Sequence, residues 1–592
     1  LWDDAILYNV NHLGGFFSIF NPLVVKNLQF YKSYIPPNFG GRGSSVIAIN
    51  TREGNRKKTE GEIEIGILNQ NISIEGPLKK GNSSFIASGR YSNLGIIGLI
   101  RQALPSSSQE FNNISFYDFS GRVNTKIGQN SELVYSVFSG ADQYKYNESF
   151  AFTSKSNLLK WNNFVQSLKF TQVIGKQLFF KSHISQTIYK STMQFEDKIG
   201  QDGKTTIQGL TNQITDWSGK INLEYFPSNR ITLDAGGEFT RHKFQPYYFN
   251  ALTETSKSDS GTLFRTLESS LFFHVAIEPI KRLKADIGVR RSGLFYDKKW
   301  IFTNWEPRFQ IQYLPNSTST FYLSYTKMTQ YLHSLSSTGT GFNVEVWVPS
   351  IIDVPPLNVS SFSVGYQKKM GGWKFGQELY SKNFTNLIMY QEGENISIFQ
   401  GFDWVNQINT KGRGISLGLE NHIHFTQNKL NMNISYTWSR TNHQFIGINN
   451  NQTFPFKFDR RHYLTLQTSL QWSKKWNINT AFVLQSGQAF TSPTGVRPSS
   501  NPNNLTPVFF YTSINNSRFP LYHRLDVGLN YSKKSKGNHP STWSFGAFNI
   551  YNQQNPAYLD IQLIQENNKP SYQVVPKAFL PIIPYVKYAL KF

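Results

Sequence analysis

The sequence predicts an all-β protein of the transmembrane antiparallel β-barrel class. Three observations predict it. Charged residues make up only 16% of the 592-residue chain and aromatic residues 15%, whereas a soluble domain carries about 25% charge. Hydrophobicity alternates with period two along much of the chain. No window reaches the roughly 18 consecutive apolar residues that a membrane helix needs. The longest apolar candidate, around Leu94 to Ile100, is short and broken by Gly95 and Gly98. Mean hydropathy is −0.41. A barrel wall reconciles that modest value with a membrane, because lipid-facing apolar residues alternate with polar lumen-facing ones.

The alternation is explicit. Ile63, Ile65 and Ile67 alternate with Glu62, Glu64 and Gly66. Ile231, Leu233, Ala235 and Phe239 alternate with Thr232, Asp234 and Glu238. Leu283, Ala285, Ile287 and Val289 alternate with Lys284, Asp286 and Arg290. Leu430, Met432, Ile434, Tyr436 and Trp438 alternate with asparagine, serine and threonine, and Leu525, Val527, Leu529 and Tyr531 with Arg524, Asp526, Gly528 and Asn530. Successive side chains on a strand point to opposite faces. The polar faces carry full charges and need water, outside a sandwich or inside a barrel. Strand length selects the barrel, since several runs reach the nine or more residues that cross a bilayer at a tilt. Trp438, Trp476 and Tyr531 near strand ends suit interfacial girdles. The chain closes on a strand with outward-type Val586, Tyr588, Leu590 and Phe592. A terminal aromatic on such a strand resembles the signal read by barrel-assembly machinery.

The first residues behave differently. Gly14-Gly15, Pro36-Pro37, Gly40-Gly41 and Gly43 fall there with little alternation. The polar stretch Gly54 to Thr59 sets a boundary before the first clean strand. Residues 1–57 form one unit and 58–592 the other.

Net charge is +23 and the sequence pI is about 9.7. The basic runs Arg56-Lys57-Lys58 and Lys533-Lys534-Lys536 are short and turn-like, so the stripe of a nucleic-acid binder is missing. The balance suits rims facing phosphorylated outer-membrane lipid and lipopolysaccharide, or a lumen that attracts an anionic ligand. Cysteine is absent, which excludes thiolate metal sites, redox pairs and cysteine nucleophiles. Leu1-Trp2-Asp3-Asp4 has no basic or apolar leader, and the sequence reads as processed or truncated.

Several motifs, taken together, resemble those of Bacteroidetes TonB-dependent outer-membrane receptors. NVNHLGGFFSIFNPLVVKNLQFYKS (Asn9 to Ser33) is similar to the second half of a plug domain, and FGGRGSSVIAINTREG (Phe39 to Gly54) to its closing segment. A strand ending in EGPL (Glu75 to Leu78) follows. WEPRFQIQY (Trp305 to Tyr313), YTKMTQYLHSLS (Tyr325 to Ser336) and WVPSIIDVPP (Trp347 to Pro356) look like the middle strands and their loop. FPFKFDRRHYLT (Phe454 to Thr465), SGQAFTSPTG (Ser486 to Gly495), RFPLYHRLDVGL (Arg518 to Leu529), FNIYNQQNPAY (Phe548 to Tyr558) and PIIPYVKYALKF (Pro581 to Phe592) complete the series. One departure is Asn27-Leu28-Gln29-Phe30, where the family usually has an acidic residue.

The resemblance implies about 22 strands around a plugged lumen, with residues 1–57 as the C-terminal part of the plug and the chain beginning in mid-plug. It implies about 11 outer loops of some 25 residues each, suited to ligand capture. A segment preceding Leu1 would carry the contact to a TonB-type energy-transducing protein.

Four groups of residues are candidates for function. Gly40, Gly41, Arg42 and Gly43 form a turn for close packing on the wall. Asp459, Arg460, Arg461, Arg524 and Asp526 suggest a lumen charge network between strands and plug. Tyr331, His333, Trp347 and Trp404 are candidates to line a ligand site, or to pack within loops. Tyr588, Leu590 and Phe592 make the assembly signal. The eleven histidines are dispersed without an HExxH pair, and no nucleophile–base set or nucleotide loop stands out. The expectation is therefore no enzyme, no metal and no cofactor. The implied function is TonB-dependent uptake, across the outer membrane, of a ligand too large or scarce for porins: a siderophore, haem, vitamin, oligosaccharide or peptide. The rival is a non-transporting scaffold or receptor bound to surface lipoproteins or other outer-membrane proteins.

Overall fold

The computed structural model describes residues 1–12, 15, 17–95, 111–150, 153–199, 204–252, 257–336, 345–392, 404–497, 508–534, 539–566, 569–578 and 581–592. Gly14, Gly98 and most of the apolar stretch after Leu94 lie outside them. The architecture is a closed antiparallel barrel of 22 strands. Each strand is hydrogen-bonded to its chain neighbours, and two short pieces, Lys257–Gly261 and Phe454–Pro455, extend the wall locally. The ring closes where the last strand, Ile583–Lys591, pairs with the first, Glu60–Gly66. Closure leaves no strand edge unpaired, which hydrocarbon requires. Among the described residues no helix is long and apolar enough to cross a membrane; the crossing is made by strands.

Side-chain burial is inverted relative to a soluble protein. Leu271 is 70% exposed and Phe273 47%, while Glu268, Ser270 and Phe272 on the opposite face are buried. Ile287 lies outward in the same way, and its strand turns Arg290 and Ser292 inward to burial. The outer face is made for lipid and the inner face for polar contact. Aromatic pairs bridge neighbouring strands near one rim: Trp476 with Tyr531 at 4.7 Å, Trp373 with Phe425 at 4.3 Å and Trp543 with Tyr588 at 4.8 Å.

The two ends of the barrel differ. At one end strands join through short turns such as 128–130, 175–177, 229–230 and 281–282. Gly128 takes a φ of 68° in the first of these, a conformation glycine adopts without steric cost. The opposite end carries the longer connections, but they are unequal. Strands from Phe111–Ile127 to Ile231–Leu252 run 17 to 25 residues and several meet in connections of a few residues. Apart from 94–110, the long connections, 331–356, 391–407, 446–461, 486–521 and 549–582, belong to the second half of the chain. The expected uniform loops of about 25 residues are thus replaced by a tall wall on one side and true loops on the other. Cross-strand pairing continues outward wherever the register allows it, and that converts expected loop into strand.

The N-terminal residues lie inside the barrel. Their one substantial hairpin, Val25–Tyr31 with Val46–Thr51, is a separate two-stranded sheet and adds no strand to the wall. Trp2, Ala5, Leu7, Ile19, Val24 and Ile49 pack on Ile86, Phe138 and Val165 of the wall.

Candidate functional site

Polar contacts hold the luminal segment around much of the wall. Asp3 meets Arg122 at 3.3 Å, and Asp4 pairs with Lys169. His12 is fully buried between Asp142 at 2.9 Å and Asp118 at 3.2 Å. Arg90 also binds Asp118 and donates to the Ser18 carbonyl at 2.8 Å. Burial disfavours charge on His12, but hydrogen bonds to Asp118 and Asp142 outweigh it and raise its pKa above 6.5. On another sector Lys32 pairs with Glu420, and Ser33 donates to Glu378 at 2.5 Å. Lys382 donates to the Ser44 carbonyl at 3.1 Å.

The tightest grip falls on residues 35–43. Arg308 Nη1 donates to the carbonyls of Ile35 at 3.1 Å, Pro36 at 2.9 Å and Phe39 at 2.6 Å. Its other Nη pairs with Glu306 at 2.7 Å, and both side chains are fully buried. Arg290 reaches the Pro37 carbonyl at 3.3 Å and Glu238 at 3.0 Å. A buried guanidinium needs this many acceptors to offset its lost hydration. The glycine turn fits beneath. A Cβ on Gly40 would lie 2.3 Å from Arg290 Nε, and one on Gly43 would lie 2.8 Å from Val359 Cγ2. Gly41 has a φ of +71° and faces Glu268. Arg42 stands 5.4 Å from the centre of the Tyr8 ring. The Gly40–Gly43 stretch therefore sits against the wall, and the arginines that clamp it, Arg290 and Arg308, were not singled out from sequence.

The aromatic candidates come together, but as packed groups. Tyr331 is buried, and its hydroxyl lies 3.0 Å from Ser292 Oγ and 3.1 Å from Asn304 Nδ2. His333 is buried against Ser350 at 3.2 Å and the Pro355 carbonyl at 3.1 Å; burial pushes its pKa down to about 4. These residues belong to connection 331–356, whose hairpin Leu332–Ser336 with Glu345–Pro349 folds down into the mouth. Trp347 meets the Tyr8 ring edge-on at 5.6 Å, and Trp404 meets Phe264 at 6.0 Å. His333 apart from its polar partners, the hairpin's Leu332, Leu335, Val346 and Val348 form one apolar cluster with Tyr8, Tyr189, Ile214, Phe244 and Trp404. A loop, the wall and the luminal segment thus share one core.

The expected charge network divides: Asp459 pairs within the outer connections, and Arg524 and Asp526 lie on the inward face of their strand. Asp459 receives Arg461 Nε at 3.0 Å and the Thr441 amide at 2.7 Å. Its strongest partner is Arg518, which reaches its carboxylate at 2.5 Å and its carbonyl at 2.9 Å. Arg460 turns to Gln488 at 3.3 Å. Arg524 and Asp526 pair separately at 2.9 Å, and Asp526 accepts from the Asn549 amide at 2.9 Å. Asp459 lies in connection 446–461 and Arg518 in 486–521, so this pair ties two outer loops together. The luminal segment is bound by other charges, because its polar contacts fall on strands nearer the start of the chain.

That leaves one side of the lumen wetter. Inward-facing Asn433, Ser435 and Thr437, Gln467 and Ser469, Asn477 and Asn479, and Asn530 all retain partial or full exposure. Their counterparts under the segment, such as Asn124, Ser136, Asp216 and Arg290, are buried.

At the seam, the Phe592 amide and carbonyl both bond Gly61 at 2.9 Å. A Cβ on Gly61 would lie 2.3 Å from the Phe592 ring. Lys587 pairs with Glu64 at 2.6 Å and Lys591 with Glu62 at 3.5 Å.

Comparison with known proteins agrees with this architecture. The family described as "TonB dependent receptor-like, beta-barrel" matches residues 81–552. No curated protein matches by sequence. Among solved structures, the siderophore receptor PirA from Acinetobacter baumannii superposes with a TM-score of 0.64 at 13% identity, covering 96% of this chain and 85% of that one. The ferric preacinetobactin receptor BauA from the same species gives 0.64 at 11% identity, over 98% and 86%. The ferripyoverdine receptor of Pseudomonas aeruginosa gives 0.65 at 13% identity, over 96% and 76%. At these identities the likeness is one of fold.

Proposed function

Because the chain belongs to the TonB-dependent receptor-like β-barrel family, we propose that it works in the outer membrane by energised uptake of a ligand too large or scarce for porins, with residues 1–57 as part of a movable plug. One observation carries the reading. The luminal segment adds no strand to the wall and is held largely by side chains. Ion pairs and single hydrogen bonds exchange for water at modest net cost, whereas stripping a strand from a sheet would break a whole ladder. A pull from the periplasmic side can therefore shift the segment as a body and leave the barrel closed.

The path we favour runs along the wetter side, past Asn433, Asn477, Asn479 and Asn530. Amides and hydroxyls there offer hydrogen bonds, and Arg524 and Asp526 on the strand of Asn530 neutralise each other at 2.9 Å. The hairpin resting Trp347 on Tyr8 places an outer loop in contact with the plug, so ligand capture above and plug release below share a joint.

A disulfide tests this reading. The chain has no native cysteine. The Gly43 Cβ position lies 2.8 Å from Val359 Cγ2, which puts the two Cβ positions within about 4.5 Å, inside disulfide range. Gly43→Cys with Val359→Cys would lock the turn to the wall. Cells relying on this receptor would be given ferric chelates, haem, cobalamin, oligosaccharides and peptides in turn. Uptake of one class should require the TonB-type protein, stop in the oxidised double variant and return with reductant. Transport that continues unchanged through the locked barrel would refute a moving plug.

A further inference from the structure

The outside of the wall carries a group of cations that the uptake reading does not use. Arg241 and Lys243 follow the lipid-facing Phe239 on strand Ile231–Leu252, two residues apart each time and therefore on one face. Lys243 stands directly opposite Arg265 of strand Phe264–Ile280. Arg241 stands opposite the outward Trp217 of strand Lys204–Ser228, and Lys190 lies one strand beyond that. All four cations are exposed.

Two features make this more than scattered surface charge. Like charges directly opposite in a sheet repel, and Lys243 and Arg265 find no carboxylate on the outward faces of their own two strands. Outward positions 231–245 and 265–277 hold no Asp or Glu. Among the described residues none of the four cations makes an ion pair. The height of the group is equally specific. Trp217, level with Arg241, and Phe239 and Leu271 below it are exposed to lipid. The tryptophan marks the interface, where indole rings concentrate, and the cations stand at that level and beyond it, toward the end with the long loops. Further round the wall, Arg291 lies 5.3 Å from the outward Trp305 ring.

We propose that Arg241, Lys243 and Arg265, flanked by Lys190, form a binding site for the phosphate groups of a phosphorylated glycolipid in the outer leaflet. Phosphate monoesters carry nearly two negative charges at neutral pH. Arginine engages them in pairs of hydrogen bonds and lysine as a point charge. The acyl chains of such a lipid would lie on Phe239 and Leu271 while its sugar and phosphates meet the cations. A free phosphate ion shares the anion chemistry but lacks the apolar contact.

The test uses the full chain, delipidated in detergent. Bisphosphorylated lipid A, monophosphoryl lipid A and inorganic phosphate are titrated separately, with native mass spectrometry counting bound molecules. Bisphosphorylated lipid A should bind tightest and inorganic phosphate should not compete at equal concentration. Arg241→Gln with Lys243→Gln and Arg265→Gln should weaken lipid A binding at least tenfold, and Lys243→Arg alone should retain it. A gel shift on boiling confirms that each variant is a folded barrel. Equal lipid A binding by wild type and the triple variant would overturn the site. Equal competition by inorganic phosphate would reduce it to a nonspecific anion patch and overturn the glycolipid assignment.

Discussion

The Tyr8 hydroxyl donates to Asp216 Oδ2 at 2.5 Å, and the other oxygen of the same carboxylate meets His242 Nδ1 at 2.7 Å. One wall carboxylate thus serves the luminal segment and the wall together. His242 Nε2 lies 3.7 Å from Glu268, which faces Gly41. Tyr8→Phe leaves Asp216 short of a donor in a buried site, a loss of about 1–3 kcal/mol. Asp216→Asn should cost as much. The two should not add fully, since both act on the Tyr8–Asp216 bond. Hydrogen exchange across residues 1–57 in the single and double variants measures this, and strictly additive effects would show that the contact is incidental.

Gly40 should not accept a side chain. Its Cβ position collides with an Arg290 guanidinium already committed to Glu238 and Pro37. Gly40→Leu should destabilise the clamp by about 1–3 kcal/mol, as overpacking does, and raise ion leakage through the barrel in planar bilayers. A variant as tight as wild type would show that Arg290 yields freely.

Two histidines should respond to pH in opposite directions. The His12 pKa is raised, so its stabilisation is full below about 6.5 and is lost as pH rises through the folded value. The His333 pKa is pushed down to about 4, so its stabilisation is full above about 6.5 and is lost as pH falls toward 4. Exchange protection, corrected for intrinsic rates, should fall around residues 8–12 on the alkaline side and around 332–336 on the acid side. His12→Gln should flatten the first trend alone. If the alkaline trend persists in that variant, another group causes it.

Closure should depend on Phe592 and Gly61 as a pair. Phe592→Ala removes the ring over Gly61, and Gly61→Leu fills its place. Each should lower the amount of heat-modifiable barrel in outer membranes. Normal levels in both would mean that the seam is held by the backbone and by the Lys587–Glu64 and Lys591–Glu62 pairs.

The wall was legible in the sequence because its rule is local. Ile63 and Ile65 against Glu62 and Glu64 declare two faces within four residues. The seam was legible too, since Phe592 ends an alternating strand. The clamp was not. Arg308 serves carbonyls some 270 residues earlier, and no spacing encodes a bond from a side chain to a distant backbone. Arg518 stood inside a motif, but its partner Asp459 is 59 residues away. An arginine on the inward face of a strand was the only signal available. Trp347 and Tyr8 meet only because an outer hairpin folds down, and alternation says nothing about where a loop will lie.

The uneven mouth has an evolutionary consequence. Between residues 111 and 252 the outer rim is still paired sheet, so an insertion of one residue would turn every later side chain in that strand to the wrong face. Connections 391–407, 486–521 and 549–582 lie outside the ladder of the wall and can change length at small entropic cost without shifting its register. Divergence among related barrels should therefore gather on one arc of the rim, where new specificities can be written, while the opposite arc keeps its length.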